Sequence, residues 1–346
     1  MNFTDYLNMI IKRQDLSDDQ MSAMISDIFS GTVTDAQIGA FMAALAVKGE
    51  TFEELAGAAR SMRAKAARIQ TVSRKAVDTC GTGGDSSGSF NISTTTAFVV
   101  AGCGVTVAKH GNRSISSKCG SADVLEALGV NINTHPEVVE EAVNTIGIGF
   151  LFAPTFHSAM RHAAKARKEV GIRSIFNMLG PLTNPAAARC QLLGVFAPQL
   201  TEMFAQALKL LGAHRAFVVH GHDGMDEITV CAPTRISELK DGVIRSYDLD
   251  PIEFFGEYAD TRELKGGDAV DNAAITKAIL NGDIETKEGN GIAKRNVILI
   301  NSAAALVAAD AAYNLEDGIK KAEEAIDSGR AMEKLDQLAR FTQENG

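Results

Sequence analysis

The stretch that decides the fold is VDTCGTGGDSSGSFNISTTTAFVVAG, residues 77–102. Its β-rich beginning predicts a strand over 77–79, and its apolar end predicts a helix over 95–102. Between them lies the glycine-rich run 81–85, GTGGD, followed by SSGS at 86–89. Because glycines carry no Cβ atom, the backbone amides of such a loop can approach a phosphate or a ribose closely. The stretch predicts strand, loop and helix in that order, with a tight turn that binds nothing as the alternative interpretation of the loop.

The chain beyond this stretch alternates between short β-rich runs and helical patterns. Further strands are predicted at 105–107, 148–152, 192–196 and 216–219. Alternation of this kind favours an α/β fold with a mostly parallel sheet flanked by helices. The strand-like runs 228–230 and 236–239 depart from it, because they precede Asp241-Gly242 and then the run 243–247. Asp-Gly between two such runs predicts an antiparallel hairpin.

The first 71 residues predict a small all-α domain, and residues 72–346 a large α/β domain. Three residue pairs have the spacing of a capping box, in which two side chains satisfy free groups at a helix start. They are Ser17 with Gln20, Thr34 with Gln37, and Thr51 with Glu54. Gly31 and Gly49 lie where two of these helices should end. Breakers at Gly180-Pro181 and Asn184-Pro185 make the segment around 171–185 a predicted crossing between the domains.

Composition argues against several classes of protein. The 346 residues include 34 Lys and Arg against 43 Asp and Glu, a formal charge of −9, with no run rich in Lys and Arg. That balance offers no electrostatic footprint for nucleic acid or for an anionic membrane. Five cysteines without Cys-x-x-Cys spacing predict neither a disulfide framework nor a zinc site, which favours a cytoplasmic location. The N-terminus lacks a secretory signal pattern, and the longest apolar stretch, 297–309, predicts a buried core helix.

The densest polar stretch is KHGNRSISSKCGSAD, residues 109–123, directly after a predicted strand. It contains three cations, four serines and two glycines. Loops that follow the strands of an α/β sheet lie at its carboxyl edge, where such folds bind ligands. We therefore interpret the stretch as an anion-binding loop, with an ordinary solvated loop as the alternative. The run NIST at 91–94 gathers hydroxyls and free amides at a helix start, for which plain N-capping is the alternative.

Paired acids follow another predicted strand. Asp226 and Glu227 lie on a loop after the β-rich run 217–219. Carboxylates of this kind hold Mg²⁺ beside a substrate phosphate, directly or through water. His220 and His222 are close in sequence, but a hard cation prefers oxygen ligands. The pair predicts a magnesium site, although paired acids also occur on ordinary solvated turns.

These stretches together resemble the anthranilate phosphoribosyltransferase family. The motifs at 81–85, 91–94, 109–123 and 226–227, with RSIFNMLGPLTNP at 173–185, occur in the family's order and spacing, and the resemblance covers the whole chain. It implies a nucleoside phosphorylase/phosphoribosyltransferase-like two-domain fold, in which the small helical domain forms a homodimer. Residues 171–187 would return to that domain through hinges, and the active site would lie in the cleft between the domains.

The implied activity is transfer of the phosphoribosyl group from phosphoribosyl pyrophosphate to the amine of anthranilate, an early step of tryptophan biosynthesis. Mg²⁺ is the only cofactor implied. The barrier would lie mainly in breaking the bond between ribose and pyrophosphate, since the amine is already nucleophilic. No residue is therefore assigned as a catalytic acid or base.

The resemblance also implies roles for individual residues. Those implied to bind phosphoribosyl pyrophosphate are Gly81, Gly84, Asp85, Ser89, Asn91, Ile92, Ser93, Thr94, Lys109, His110, Gly111, Asn112, Arg113, Ser114, Ile115, Ser116, Ser117 and Ser121. Those implied to hold anthranilate or line its approach are Gly81, Asn112, Arg167, His110, Pro154 and His157. Those implied to serve the metal are Ser93, Asp226 and Glu227. The planar fork of Arg167 suits a carboxylate, although an ordinary arginine at a helix end is the alternative.

Two positions depart from the family's pattern. Ser89 stands where many members have threonine, and Cys119 stands where serine is expected. Both residues are small, so the implied activity is unaffected. Cys119 is interpreted as inert, because the chemistry needs no covalent intermediate.

Two other functions are weighed against this one. A pyrimidine nucleoside phosphorylase-like enzyme would share the fold and domain plan, but its lysine-led glycine-rich loops differ from residues 109–123 here. A non-catalytic relative that binds nucleic acid would keep the fold, but the charge of −9 and the paired acids argue against it.

Overall fold

A computed structural model describes residues 1–85, 87–114, 118–283 and 291–346. The N-terminal unit is helical, as predicted. Its helices are α1 Phe3–Ile11, α2 Asp18–Phe29, α3 Asp35–Lys48 and α4 Phe52–Lys65. The three predicted capping boxes are confirmed at the starts of α2, α3 and α4. The sequence analysis missed α1, which begins with a fourth box between Asn2 and Asp5.

Seven strands among the described residues form one sheet in the order β3-β2-β1-β4-β5-β6-β7. Their bounds are β1 Val77–Gly81, β2 Val107–Gly111, β3 Ile148–Phe152, β4 Cys190–Gly194, β5 Arg215–Gly221, β6 Thr234–Lys240 and β7 Val243–Leu249. Strands β1 to β5 are parallel, whereas β6 and β7 pair antiparallel. The predicted mostly parallel sheet is confirmed.

The predicted hairpin is confirmed in β6 and β7, but the expected strand at 228–230 is wrong. Asp241 (φ 50°) and Gly242 (φ 75°) both adopt the positive φ that a two-residue hairpin turn requires. Around Thr229 the backbone bonds locally instead of joining the sheet. The Thr229 hydroxyl donates to Asp223 at 2.6 Å and accepts from the amide of Cys231 at 3.0 Å.

Twelve further helices lie within the described ranges. They are α5 Ile92–Gly102, α6 Ser121–Ala127, α7 Pro136–Thr145, α8 Ala153–Phe156, α9 Arg161–Val170, α10 Ile175–Leu179, α11 Leu200–Leu210, α12 Ile252–Phe255, α13 Ala269–Leu280, α14 Gly291–Ala308, α15 Leu315–Asp327 and α16 Arg330–Asn345. The side chain of Asn314 caps α15 by accepting from the amide of Asp317.

Both faces of the parallel strands are buried, and each face belongs to a different core. Leu192 and Phe217 pack into the core formed with α5, α14, α15 and α16. Leu193 and Val218 point to the opposite face, because side chains alternate along a strand, and join a core shared with α11 and the N-terminal helices. The helical unit therefore packs into the second core of the α/β domain.

Helix α14 confirms the predicted core helix. Within the described ranges it is the one helix long and apolar enough to cross a membrane, but 83% of it is buried inside the protein. It packs against α5, α15 and β4. Such packing is typical of the central helix of a globular domain.

The segment after α9 links the two units. Helix α9 packs on α2 and α3, and α10, within the predicted crossing, packs on α3 and α4. Phe176 of α10 contacts Phe29 and Phe41, with ring centroids 6.3 Å apart in both pairs. Contact with the N-terminal helices therefore begins before residue 171, in α9.

Candidate active site

The predicted polar stretches meet at one edge of the sheet. Strands β2, β1, β4 and β5 are adjacent and parallel, and each ends in a glycine: Gly111, Gly81, Gly194 and Gly221. The loops that follow them therefore share the carboxyl edge. Strand order reverses beside β1, and open α/β sheets bind ligands at such a point.

The glycine loop after β1 packs directly against Asp226. The amide of Gly83 donates to Asp226 Oδ2 at 2.9 Å. A Cβ atom at Gly81 would lie 2.5 Å from the same oxygen, and one at Gly194 would lie 1.5 Å from the Asp226 carbonyl oxygen. Only glycine at these two strand ends lets the acidic loop approach so closely.

Glu227 is buried and Asp226 is half-buried, so two carboxyl groups lie close together with little access to water. Burial, together with the charge of Asp85, raises the pKa of Asp226 to about 7. Burial and the charge of Asp226 raise the pKa of Glu227 well above its usual value. Oδ2 of Asp85 is also buried, without a hydrogen-bond partner among the described residues. A bound cation would relieve this repulsion.

The ligand atoms beside the paired acids suit an Mg²⁺ ion that is also coordinated by a substrate. The available ligand atoms are the oxygens of the paired acids and of Ser93, which lies at the start of α5. The backbone amide of Ser93 also donates to Glu227. Among the described side chains, no group of three or more His, Cys, Asp or Glu converges as a metal cage. Mg²⁺ is usually held by one or two carboxylates, waters and substrate phosphates, so this arrangement fits it.

Lys109 places a buried cation beside the acids. Its Nζ donates to the Thr79 carbonyl at 2.6 Å and to the Ser93 hydroxyl at 3.3 Å. Burial lowers the pKa of Lys109, while Asp78, Cys80 and Glu227 oppose that shift. The lysine therefore bridges the end of β1 and the positive end of α5.

Two buried histidines, His110 directly after Lys109 on β2 and His157, lie against each other. The His110 and His157 rings meet edge to face, with centroids 5.0 Å apart. Burial lowers the pKa of His110 to about 3 and that of His157 to about 4, so both are neutral at pH 7. In neutral His110, Nδ1 donates to the Gly180 carbonyl at 3.1 Å, which leaves Nε2 as an acceptor without a described partner.

The loop after β2 closes on the start of α6. The amide of Asn112 donates to the Ser121 hydroxyl at 3.2 Å, and a Cβ atom at Gly111 would lie 2.2 Å from that hydroxyl oxygen. Arg113 pairs with Asp123 and Glu126, each at 2.9 Å, and the amide of Ser114 donates to Asp123 at 3.1 Å. Ile115, Ser116 and Ser117 lie outside the described residues.

The remaining predicted residues lie on the crossing side. Arg167 is on α9 next to the αL cap Gly171, with its guanidinium 5.6 Å from the Phe176 ring centroid. Burial lowers its pKa. Pro154 is exposed on α8, and His157 follows that helix. The structure brings His157 to His110, but it gives Arg167 and Pro154 no described contact with the loops after β1 and β2.

Residues to which the sequence analysis gave no site role tie the site together. Buried Asp78 accepts from the amide of His110 at 3.0 Å and from the side chain of Asn184 at 2.8 Å, which joins the crossing to β2. Arg173 donates to the Gly84 carbonyl at 3.1 Å and lies over the Phe196 ring at 3.8 Å. These contacts join residues distant in sequence, so no spacing pattern could have indicated them.

Comparisons with known proteins place the chain in a family. Residues 4–66 match the helical bundle domain of a glycosyl transferase family, and residues 73–332 match its a/b domain. Anthranilate phosphoribosyltransferase from Syntrophobacter fumaroxidans is 66% identical over 341 residues, 99% of each chain. The chain belongs to the anthranilate phosphoribosyltransferase family.

Solved anthranilate phosphoribosyltransferases share the fold. The Thermus thermophilus enzyme matches with a TM-score of 0.91 and 38% identity, over 98% of this chain and 99% of that one. The Saccharomyces cerevisiae enzyme, in complex with PRPP and Mg, matches with a TM-score of 0.88 and 27% identity, over 99% of this chain and 98% of that one. The fold class and the family predicted from the sequence are confirmed.

Two histidines near the acids have their hydrogen-bond and ion-pair partners elsewhere in this family member. His220 Nδ1 lies 2.7 Å from the Val195 carbonyl, and His222 lies 3.3 Å from Asp248. Oxygen atoms therefore dominate the donors at the paired acids, which favours a hard cation.

Proposed function

We propose that this chain transfers the phosphoribosyl group from phosphoribosyl pyrophosphate (PRPP) to the amine of anthranilate. The products are N-(5-phosphoribosyl)anthranilate and pyrophosphate, in tryptophan biosynthesis. The observation that carries the proposal is the meeting of a glycine loop, a buried lysine and the paired acids at one sheet edge. Family membership supports anthranilate as acceptor, and the yeast relative with PRPP and Mg supports donor and cofactor. Neither alternative function is favoured.

The donor's pyrophosphate would bind between the glycine loop and the start of α5. Among the described residues, the amides of Gly84 and Asp85 donate to no protein acceptor, and the Asn91 side chain does not cap α5. Free amides at a loop and at a helix start favour an anion. The full set proposed for PRPP is the one that the resemblance implies, including residues 115–117 outside the described ranges.

Ser93, Asp226 and Glu227 would hold Mg²⁺. The metal would neutralise charge on the pyrophosphate as it leaves. Lys109 and the α5 amides are already in place beside the same point, held by bonds to Thr79 and Ser93. Preorganised groups of this kind stabilise developing charge without reorganising during the reaction.

Anthranilate would bind on the crossing side of PRPP. We propose Arg167 for its carboxylate, with Asn112 and the backbone at Gly81 beside it, and His110, His157 and Pro154 along its approach. The neutral, edge-to-face histidines offer an uncharged wall suited to an aromatic ring. Because the amine is already nucleophilic, the protein need only orient it toward the ribose carbon.

We also propose the assembly and the location. Residues 1–71 would form the dimer-forming domain, with 171–187 returning to it through hinges and the rest forming the α/β domain. The chain would act in the cytoplasm as a homodimer, without a nucleic acid or membrane partner. Exposed apolar side chains at Ile11 and Val47 support an interface on the helical domain.

One assay tests the activity. Pyrophosphate release is measured with PRPP, Mg²⁺ and anthranilate, and the proposal expects release that depends on all three. Uridine with phosphate, and binding of single-stranded DNA, are the controls for the alternative functions. Cleavage of uridine, or DNA binding without pyrophosphate release, would refute the proposal.

A further inference from the structure

We infer that Arg173 is a positioning residue for the PRPP-binding loop, acting from the crossing between the two domains. The inference rests on the proposed function and adds a residue that the family resemblance did not assign. Arg173 lies between Gly171, the αL cap of α9, and Ser174, which begins α10. It is thus on the segment that leads to the helical unit, while its side chain reaches the loop after β1.

The guanidinium of Arg173 is fixed by two contacts. Nη2 donates to the Gly84 carbonyl at 3.1 Å, and the group stacks over the Phe196 ring at 3.8 Å. Stacking on an aromatic face orients a guanidinium in a way that a lysine ammonium cannot reproduce. A Cβ atom at Gly84, whose φ is +76°, would lie 2.5 Å from Nη2, so the close approach requires glycine.

Phe196 is itself tied to the glycine loop. Its amide donates to the Thr82 hydroxyl at 3.1 Å, and the amide of Thr82 donates to the Gly194 carbonyl at 2.9 Å. Arg173, Phe196 and the loop therefore form a closed set of contacts. Loss of the Phe196 ring would leave the guanidinium with the Gly84 bond alone and weaken its orientation.

The bond to the Gly84 carbonyl determines where the next amide points. The peptide is trans, so the Gly84 carbonyl and the Asp85 amide lie in one plane and point in opposite directions. Arg173 thereby directs the Asp85 amide away from the crossing. Lys265 acts similarly at Ser87, whose carbonyl accepts from its Nζ. Two carbonyls of the loop, at Gly84 and Ser87, are thus held by cations, and the amides of Gly84 and Asp85 are left for an anion.

The test compares Arg173→Ala, Arg173→Lys, Phe196→Ala and the Arg173→Ala/Phe196→Ala double variant, with Arg245→Ala on exposed β7 as the matched control. Wild-type activity is measured first, so that failure of the proposed function is recognised separately. Steady-state KM values for both substrates, calorimetric binding of pyrophosphate with Mg²⁺, and Tm are recorded for each variant.

If Arg173 positions the loop, Arg173→Ala should raise the KM for PRPP about tenfold. The KM for anthranilate and the Tm should stay close to wild type. Arg173→Lys should restore only part of the loss. Phe196→Ala should shift the same KM, and the double variant should be no worse than Arg173→Ala, because both changes free one contact set. The inference would be overturned if Arg173→Lys kept the wild-type KM for PRPP and Phe196→Ala did not change it. It would also be overturned if Arg173→Ala had the same KM for PRPP as Arg245→Ala.

Discussion

At the scale of single residues, Arg167 distinguishes the acceptor site from the donor site. Anthranilate carries one carboxylate, whereas PRPP carries several phosphate charges, so different residues should respond to each. Arg167→Ala should raise the KM for anthranilate by roughly 10- to 150-fold, because a lost charge-assisted contact costs roughly 1.5 to 3 kcal/mol. The KM for PRPP should stay nearly unchanged in steady-state assays.

Lys109→Ala is the reciprocal variant for that measurement. It should raise the KM for PRPP and leave that for anthranilate nearly unchanged, since Lys109 lies beside Ser93 and the paired acids. Burial of Lys109 makes a Tm measurement necessary for this variant. If Arg167→Ala weakens PRPP binding and leaves anthranilate unaffected, the proposed placement of the acceptor is wrong.

Asp226 makes the affinity for Mg²⁺ depend on pH. Its pKa is raised to about 7, and Mg²⁺ binds the deprotonated carboxylate, so binding must displace a proton at low pH. Affinity should therefore rise as pH increases through about 7, and fall toward tenfold per pH unit well below it. Calorimetry with pyrophosphate present, in buffers of different ionisation enthalpy, measures the affinity and the proton release together.

Neutral variants of the paired acids provide the control. Asp226→Asn with Glu227→Gln should remove most activity while keeping the fold, because both substitutions keep shape and remove charge. Circular dichroism checks the fold, and activity is followed over a Mg²⁺ titration. Full activity of the double variant at limiting Mg²⁺ would contradict the metal role.

At the scale of elements, Gly194 at the end of β4 determines how closely the acidic loop packs. A Cβ atom there would lie 1.5 Å from the Asp226 carbonyl oxygen, so Gly194→Ala must displace that loop. We expect at least about a tenfold loss of kcat/KM and a lower Tm, since overpacking a buried position costs roughly 1 to 3 kcal/mol. Enzyme kinetics and thermal unfolding measure the two effects.

Gly180→Ala is the matched control for that substitution. A Cβ atom at Gly180 has nothing within 4 Å, and its φ of −45° suits alanine. It should change Tm and activity little. Equal losses in both variants would show that glycine replacement near the site, rather than displacement of Asp226, causes the effect.

Most elements could be predicted from local sequence signals. Capping boxes located α2, α3 and α4, and Asp241-Gly242 located the hairpin, because both signals act within a few residues. Helix α1 was missed although Asn2 and Asp5 form a box. The strand predicted at 228–230 is absent because Thr229 bonds to side chains instead of a neighbouring strand: its amide donates to Thr234 and its hydroxyl to Asp223. That competition depends on tertiary contacts.

In the candidate site, too, some features could be predicted from the sequence and others could not. The glycine loop, the Lys109 stretch and the paired acids could be placed at one edge, because parallel strands share their carboxyl edge. The hydrogen bonds of Arg173, Asp78 and Asn184 could not be predicted, since each joins residues far apart in sequence. The raised pKa of Asp226 could not be predicted, because it depends on burial and on the distance to Asp85, which a shared sheet edge does not determine.

At the scale of the whole molecule, the two cores explain how the helical unit can affect the site. Leu193 and Val218 of the sheet share one core with Phe41 and Phe176. The crossing that carries Phe176 also holds Arg173 and Asn184, which bond to the glycine loop and to Asp78. A displacement of the helical unit would therefore reach both loops of the site through covalent chain and hydrogen bonds.

The homodimer is the prediction for the assembled molecule. Ile11 at the end of α1 is 60% exposed and Val47 near the end of α3 is 71% exposed, so the helical unit leaves apolar surface uncovered. Ile11→Asp with Val47→Asp should shift sedimentation toward the monomer at micromolar concentration, because charge in an apolar interface is costly. Val243→Asp on β7, also exposed and outside the helical unit, should leave the dimer intact. A monomeric wild type, or a dimer that only Val243→Asp weakens, would contradict an interface through residues 1–71.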